Sequence, residues 1–348
     1  MIKAIGPRQR PSTLARMTPQ TDPEFLPFKL DLIARRVLLV RLTAQQRRDA
    51  SFLDERALPA GADGGWLPLE ALQAQAAVPA DAVFHIGHCG STLLSRLLES
   101  WPQLQGLREP LPLRTLAEAW PHLHAPESRL SPQEASHLLQ ALWSAWSRTL
   151  ATHARSVVKA TSGCNGLIAP LLDAQPAMRA VLLDMPLRPY LATLLKSPDS
   201  TRDAASAAAE RLRDLHARGF GDGVWLHALS LPQQCAMGWL AERIRFTALA
   251  QAHPGRVLRV DFEQLLEQPE ATLRAIAAHL ALDPAGVSAA MSSPAWHRYA
   301  KAQDHGYGRE DRAHDLALAM QRHQAEIAEG VAWVDGRAQR HPQLQTVL

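Results

Sequence analysis

The sequence of 348 residues contains only three cysteines and no long apolar run. Cys89, Cys164 and Cys235 are far apart, odd in number and without C-x-x-C spacing, so they indicate neither a disulfide framework nor a zinc site. A reducing cytoplasm is the expected setting. No stretch reaches the length of a membrane span, and the first residues lack the continuous apolar segment of a secretory signal. We therefore expect a cytoplasmic protein that does not insert into membranes.

Charge of either sign is not in large excess. Lysine and arginine number 37 against 34 acidic residues, which gives a net charge of +3. Proteins that bind nucleic acids carry a much stronger basic excess, whereas a small anionic ligand is compatible with this balance. The 15 histidines include no H-E-x-x-H motif, and we expect no resident metal. With 47% hydrophobic residues the chain can bury a large core, in one large domain with insertions or in two.

The most informative stretch begins at residue 82. Residues 82–86 are mostly apolar and predict a short buried strand, and residues 91–100 predict a helix with leucines on one stripe. Between them, Gly87 and Gly90 allow a tight turn and a close approach of the backbone to a ligand. A strand, a small-residue loop and a helix N-terminus bind anions well, because unpaired N–H groups and the helix dipole point the same way. The alternative is an ordinary turn between strand and helix.

Three anion-loop chemistries compete for this stretch. A Walker A loop requires a lysine directly before the serine or threonine, and none precedes Ser91, which disfavours an ATPase or GTPase. His88 and Cys89 begin like the loop of a cysteine phosphatase, but Arg96 comes one residue too late for the arginine that grips the phosphate. The third is the phosphosulfate-binding loop of sulfotransferases, commonly R/K-S-G-T-T followed by Leu-Leu or Trp-Leu. Residues 88–94 (HCGSTLL) resemble this loop best.

The resemblance to sulfotransferases implies 3′-phosphoadenosine 5′-phosphosulfate (PAPS) as co-substrate and no metal. It places the phosphosulfate against the residues of the loop, which are Gly87, His88, Cys89, Gly90, Ser91 and Thr92. His88 replaces the cationic residue of the family, and an imidazole is only partly charged near neutral pH. We expect His88, when protonated, to stabilise charge on the leaving phosphate.

Two further residues follow predicted strands and are candidates for the chemistry. Residues 104–107 predict a strand that leads to Arg108 and Glu109, and the resemblance makes Glu109 the candidate general base. Its alternative is a surface ion pair with Arg108. Lys159 ends the next predicted strand and corresponds to the lysine of the family motif Lys-x-His, although Thr161 stands where the histidine is expected. The resemblance assigns to Lys159 the neutralisation of charge on the sulfuryl group, and the alternative is a cation at the protein surface.

The other donor-binding positions match the family less closely. Sulfotransferases usually continue after the following strand with Arg-x-Pro and then a serine, which grip the 3′-phosphate of the donor. Here Asp184 occupies the arginine position and would repel a phosphate. Arg188, together with Thr193, Lys196 or Ser197, is the candidate substitute in the next predicted helix. Near the end, Arg298 and Lys301 correspond to the basic, glycine-containing segment that closes over the phosphates of the donor.

Predicted strands alternate with predicted helices, and the resemblance covers about residues 80–310, including a structural segment at 261–273 (DFEQLLEQPEATL). We predict an α/β fold of the three-layer P-loop type, with a mostly parallel sheet flanked by helices. The predicted organisation is an N-terminal extension at 1–80, partly a disordered arm and partly small helices, a sulfotransferase-like domain at 81–335 and a tail at 336–348.

The predicted function is the transfer of a sulfuryl group from PAPS to a hydroxyl or amine of a small molecule, a glycan or a peptide. Like phosphoryl transfer, this reaction depends mainly on positioning and on stabilisation of charge. Two alternatives stay open. One is a nucleotide- or anion-binding protein without catalysis, and the other is a phosphatase that uses Cys89, whose thiol a helix N-terminus would activate.

Overall fold

The computed structural model describes residues 22–75, 78–150, 153, 155–299 and 302–348. The chain divides into two compact units. The first takes the described residues up to Phe84 together with Leu94–Arg179, and the second takes His85–Leu93 and Ala180–Leu348. Within the described residues, no helix is both long enough and apolar enough to cross a membrane.

The first unit opens with a small antiparallel sheet. Its strands are β1 (Phe25–Asp31), β2 (Arg36–Arg41) and β3 (Gly64–Pro68), in that spatial order. Thr43 is a residue type that favours a helix N-cap, and the sequence predicts a short helix from there to Asp54. Helix α1 (Ala44–Asp49) does begin at Thr43, with a capping box, but it ends earlier than predicted. The apolar spacing at 67–78 predicts an amphipathic helix, and this prediction is wrong, because Leu67 belongs to β3 and the chain continues as a 3₁₀ turn, Leu69–Ala71.

The rest of the first unit alternates strands and helices, as predicted. The elements are β4 (Ala80–His85), α2 (Ser91–Leu98), β5 (Leu104–Arg108), α3 (Leu111–Ala119), α4 (Pro132–Ser147), β6 (Arg155–Lys159) and α5 (Ile168–Ala174). The sequence S-P-Q-E at 131–134 predicts a capping box, and α4 begins there with Ser131 and Glu134 forming it. The helix buries Trp143 and Trp146 in the core. Strand β6 pairs in parallel with β5 on one side and with β4 on the other.

The second unit carries two strands of the main sheet and most of the long helices. Its elements are β7 (Ala180–Asp184), α6 (Leu187–Leu195), α7 (Pro198–Ala217), α8 (Leu231–Ala252), β8 (Val257–Asp261), α9 (Phe262–Glu267), α10 (Pro269–His279), α11 (Gly286–Met291), β9 (Arg298–Tyr299), β10 (Ala302–Gly306), α12 (Arg309–Arg322) and α13 (Gln324–Arg340). Helices α7 and α8 pack against each other. The amphipathic pattern at about 312–334 predicts a single helix, and this prediction is wrong, since α12 and α13 are separated at His323.

The main sheet has five strands in the order β5-β6-β4-β7-β8. The pairs β5–β6, β6–β4 and β7–β8 run parallel. Strands β4 and β7 are buried at every position, as expected for parallel strands that helices cover on both faces. The predicted α/β fold with a mostly parallel sheet is confirmed.

Candidate functional site

The predicted loop between β4 and α2 turns through left-handed backbone conformations. Gly87 has a φ of 91°, His88 of 52° and Gly90 of 77°. Glycine adopts such angles without cost, whereas a residue with a side chain loses roughly 1–2 kcal/mol. The turn leads directly into α2, whose first residues Ser91 and Thr92 are buried. The first N–H groups of a helix have no partner within the helix, so this arrangement is suited to an anion.

Phe262 of α9 fixes the second half of the loop. A Cβ atom on Gly90 would lie only 2.0 Å from Cε2 of Phe262, so glycine is the residue that permits this approach. The guanidinium of Arg312 lies over the same ring, 5.0 Å from its centre, and forms an ion pair with Glu263. Phe262 was predicted only as part of a structural segment, and no sequence signal marks Arg312.

The structure argues against a phosphatase loop. Cys89 is fully buried, and its thiol donates to the carbonyl of Leu183 at 3.4 Å. Its side chain therefore packs into the core and does not face a ligand, so Cys89 contributes only its backbone to the predicted anion site. Arg96 donates to the hydroxyl of Ser51 at 3.0 Å, and burial lowers its pKa to about 10. Neither the nucleophile nor the arginine that a phosphatase needs is in place.

His88 lies close to a carboxylate of α7. Its Nε2 is 3.6 Å from Oδ2 of Asp203, a distance at which a protonated imidazole forms an ion pair. The His88 side chain is 18% exposed and that of Asp203 is 75% exposed, so solvent weakens this interaction. The Ala-rich, charged sequence at 201–219 predicts either a lid over the site or a solvated surface helix, and most of it belongs to α7. The helix buries Ala204, Ala208 and Leu215, and its Asp203 lies beside His88 of the loop.

In the first unit, Glu109 and Lys159 form an ion pair, as their side-chain atoms Oε1 and Nζ are in direct contact. Lys159 is fully buried and stands opposite Arg108 in the register of β5 and β6. Glu109 has a φ of 52°, and its N–H donates to the carbonyl of Lys159 at 2.6 Å. The alternatives of a surface pair with Arg108 and of a surface cation at Lys159 are therefore wrong. The two predicted catalytic residues of this unit are brought together.

Two residues of the N-terminal extension, Leu53 and Arg56, lie near Glu109. The N–H of Leu53 donates to the carbonyl of Arg108, and the carbonyl of Leu53 accepts from the N–H of Leu111, so this one residue bonds the chain on both sides of Glu109. The pKa of Arg56 is raised, chiefly by its hydrogen bonds to Asp54 and also by the negative charge of Glu109. No chemistry was predicted for this part of the chain, because contacts made by backbone atoms leave no sequence signal.

Arg108 itself faces away from Glu109. Its guanidinium is fully buried and donates to Glu99 and to the carbonyls of Arg47, Arg48 and Ala50 at the C-terminal end of α1. A cation at this end of a helix satisfies carbonyls that have no partner within the helix, and it also favours the helix dipole.

Asp184 is neutralised by two arginines of the second unit. Its Oδ2 accepts from Nη1 of Arg243 and from Nη2 of Arg259, both at 2.9 Å, and its side chain is 2% exposed. The expected repulsion of a phosphate by Asp184 is therefore largely cancelled. Arg188 is exposed in the first turn of α6, whereas the hydroxyl of Thr193 donates to the carbonyl of Pro189 at 2.8 Å. The binding of the 3′-phosphate by Arg188 and Thr193 stays a prediction.

The C-terminal basic segment borders a cavity of about 760 Å³. Its lining includes Trp296, Tyr307 and Met291, with Arg309 at the start of α12. This volume is in the range of small-molecule sites. Arg298 is exposed in the short strand β9, and Lys301 lies outside the described residues.

The family model that matches this chain is that of the sulfotransferase family, over residues 83–285. The match spans more than half of the sequence, and the chain belongs to the sulfotransferase family. No curated protein matches the sequence.

Solved structures similar to this chain are sulfotransferases. A sulfotransferase domain from the curacin biosynthetic pathway has 12% identity and a TM-score of 0.40, and the match covers 75% of this chain and 99% of that one. A sulfotransferase from Alicyclobacillus acidocaldarius has 14% identity and a TM-score of 0.37, with 74% and 94% covered. Mouse sulfotransferase SULT7A1, complexed with PAP, has 10% identity and a TM-score of 0.33, with 64% and 68% covered.

Proposed function

We propose that this protein transfers a sulfuryl group from PAPS to a hydroxyl or amine acceptor. The observation that carries the proposal is the left-handed turn at 87–90, which leads directly to Ser91 and Thr92 at the start of α2 in a chain of the sulfotransferase family. The backbone N–H groups of Gly90, Ser91 and Thr92 would hold the phosphosulfate. Such a site needs no lysine in the loop, because backbone donors and the helix dipole supply the attraction.

Each candidate catalytic residue has a role that its surroundings allow. Glu109 would take the proton of the acceptor as the acceptor oxygen or nitrogen attacks sulfur, while the bond from sulfur to the phosphate oxygen breaks and adenosine 3′,5′-bisphosphate (PAP) leaves. Lys159 is the direct partner of Glu109 and would offset negative charge on the sulfuryl group. His88, when protonated, would do the same for the leaving phosphate.

The chain offers fewer candidate ligands for the 3′-phosphate of PAPS than for its phosphosulfate. Asp184 occupies the position where the family carries arginine, and Arg188 and Arg298 would have to supply the charge, together with Lys301 and the hydroxyl of Thr193. A comparison of PAP with AMP tests this point directly, because AMP differs only in lacking the 3′-phosphate. We expect PAP to bind more tightly than AMP. Equal affinity for PAP and AMP would show that the protein does not bind the 3′-phosphate, and this part of the proposal would then be wrong.

The division into an extension (1–80), a sulfotransferase-like domain (81–335) and a tail (336–348) stays a prediction. A small-molecule, glycan or peptide acceptor is likewise part of the proposal.

Ligand binding gives the first test of the proposed function. Isothermal titration calorimetry and thermal shift with PAP, ATP and NAD should show stabilisation by PAP and none by NAD. PAP at a hundred times its Kd should add about 2.7 kcal/mol to the free energy of unfolding. The absence of any effect at millimolar PAP would overturn the donor assignment.

Catalysis is tested by the release of PAP from PAPS in the presence of a panel of phenols, alcohols and amines. Glu109→Gln should lower this release at least a hundredfold with each accepted compound and leave the Kd for PAP unchanged, since general-base catalysis contributes about 10²–10⁴-fold. Glu118→Gln is the matched control, because Glu118 is an exposed carboxylate of α3 that pairs with Arg114. If Glu109→Gln retains full activity, Glu109 is not the base.

A binding protein without catalysis is the second candidate function. It is favoured by the replacement of the loop cation by His88 and by the lack of an arginine at position 184, where Asp184 pairs with Arg243 and Arg259. Tight binding of PAP, with no release from PAPS for any acceptor of the panel, would support it.

A further inference from the structure

The carbonyl of Ile86 lies at the junction between the end of β4 and the anion loop. The N–H of Ile86 still donates to the carbonyl of Leu183 at 3.2 Å, in the manner of a strand. The backbone then turns at Gly87, with its φ of 91°. The Ile86 carbonyl accepts two side-chain donors, the hydroxyl of Tyr190 at 3.3 Å and Nη2 of Arg211 at 3.4 Å. Two separate helices, α6 and α7, thus each donate a hydrogen bond to the carbonyl oxygen of Ile86, at which the loop begins.

Arg211 is held in place with its charge compensated. Its side chain is 3% exposed, and its Nε donates to Oε1 of the fully buried Glu242 at 3.2 Å. Burial acts to lower the pKa of Arg211, but Tyr190, Glu242 and Glu210 outweigh it and raise the pKa. The guanidinium therefore stays charged beneath the loop and can donate permanently to the carbonyl.

Helix α8 leaves space for this guanidinium. A Cβ atom on Gly238 would lie 3.1 Å from Cδ and 3.2 Å from Nη1 of Arg211, closer than ordinary contacts. Glycine in the interior of a helix is unfavourable compared with alanine, so its presence in the middle of α8 calls for a reason. Room for Arg211 is that reason.

Arg245 provides an internal comparison within the same buried network. Its guanidinium donates twice to Glu242 at 3.1 Å and once to Glu210 at 2.6 Å. In the described part of the chain, its contacts go to carboxylates of α7 and α8 and none goes to the loop. Arg245 is 5% exposed, so its burial matches that of Arg211.

We propose that Tyr190 and Arg211 are positioning residues, which hold the carbonyl of Ile86 and thereby fix the left-handed turn of the anion loop before a ligand arrives. Neither residue touches the ligand in this proposal. Each donor can partly replace the other, because both bond the same oxygen. The loss of one should therefore have a small effect, and the loss of both should leave a buried carbonyl without a partner, which is costly.

The first test uses the unliganded protein and does not depend on the proposed function. Amide hydrogen exchange is measured by mass spectrometry on peptides that cover residues 86–92. The variants are Tyr190→Phe, Arg211→Met and their combination, with Arg245→Met as the control. We expect these peptides to exchange about tenfold faster in the double variant than in the wild type, which corresponds to the loss of about one hydrogen bond. This acceleration should exceed the product of the accelerations in the two single variants. Arg245→Met should lower the melting temperature as Arg211→Met does and leave loop exchange unchanged.

The proposal is overturned if the double variant leaves loop exchange as it is in the wild type, or if Arg245→Met accelerates it equally. Should Arg211→Met fail to fold, Arg211→Lys takes its place, since lysine keeps the charge and can still make one hydrogen bond. Combined with Tyr190→Phe, it should then show an intermediate effect on the same peptides.

The second test adds the ligand and rests on the proposed function. Calorimetric titration with PAP should show affinity about tenfold weaker in the double variant and unchanged in Arg245→Met, because an unfixed loop must be ordered on binding. If PAP does not bind the wild type, the proposed function fails, while hydrogen exchange still decides the role of Tyr190 and Arg211. If PAP binds all variants equally, the loop is fixed by other contacts and the positioning role is refuted.

Discussion

Replacing Gly90 by alanine should destabilise the protein for two separable reasons. The first is the backbone, because φ at Gly90 is 77° and an alanine in this region loses roughly 1–2 kcal/mol. The second is the clash with Phe262, since the new methyl group would lie 2.0 Å from Cε2 and 2.2 Å from Cζ of the ring. Overpacking of this kind costs about 1–3 kcal/mol. The expected loss in the free energy of unfolding is therefore about 2–5 kcal/mol.

Gly255→Ala is the matched control for the backbone contribution. Gly255 belongs to the same unit and has a φ of 80°, but a Cβ atom there would meet nothing within 4 Å. Its replacement should cost only the conformational part, roughly 1–2 kcal/mol. The two variants are compared by urea denaturation followed by circular dichroism. The difference between them measures the clash with Phe262.

The double variant Gly90→Ala/Phe262→Ala tests the cause of the clash. Phe262→Ala alone should cost about 3–5 kcal/mol, as expected for a buried phenylalanine. If the ring is the obstacle, the double variant should lose about 1–3 kcal/mol less than the sum of the single variants. Strictly additive losses, or a Gly90→Ala variant no less stable than Gly255→Ala, would refute the close packing of Phe262 on the loop.

Three further predictions concern the cysteines and His88. Cys89→Ser should leave the Kd for PAP within about threefold of wild type, because the thiol faces the core and a hydroxyl can still donate to Leu183. A thousandfold loss in calorimetry would instead indicate a nucleophile. Burial raises the pKa of Cys164 to about 12 and that of Cys235 to about 11, so iodoacetamide at pH 8 should label neither thiol before unfolding, as judged by mass spectrometry. Rapid labelling of either thiol in the native protein would contradict this. The affinity for PAP should fall as pH rises through roughly 6 to 8, because only the protonated imidazole of His88 attracts an anion, and His88→Arg should remove this dependence. A flat profile in the wild type would make His88 a packing residue.

The main sheet and the loop were predictable because local sequence determines them. Short apolar runs mark β4 and β7, and the glycines that follow β4 mark the left-handed turn. The strand β3 was not predictable in the same way. The leucines after Trp66 have helical spacing, but Trp66 and Leu67 pair with Leu38 and Val37 of β2. A partner almost thirty residues away in the sequence thus overrides the local pattern.

The candidate site likewise has features that local sequence predicts and features that it does not. Glu109 and Lys159 could be identified one by one, each from the end of a predicted strand. Their ion pair depends on the register of β5 against β6, which aligns Arg108 with Lys159 across about fifty residues of sequence. No local pattern encodes that register. The sequence also contains no signal for Leu53 and Phe262. Leu53 acts through its backbone atoms, and Phe262 acts through the shape of its ring.

The buried guanidinium of Arg108 makes the folding of β5 depend on the chain that precedes the main sheet. A chain shortened to begin at residue 81 would lose the carbonyls of Arg47, Arg48 and Ala50 and would keep Glu99 as the partner of this cation. A hydrogen bond to a charged group contributes about 1.5–3 kcal/mol, which is a large part of the 5–15 kcal/mol that holds a typical domain folded. We therefore expect α1 and β5 to unfold together. A protease that cuts between them should therefore release no stable fragment.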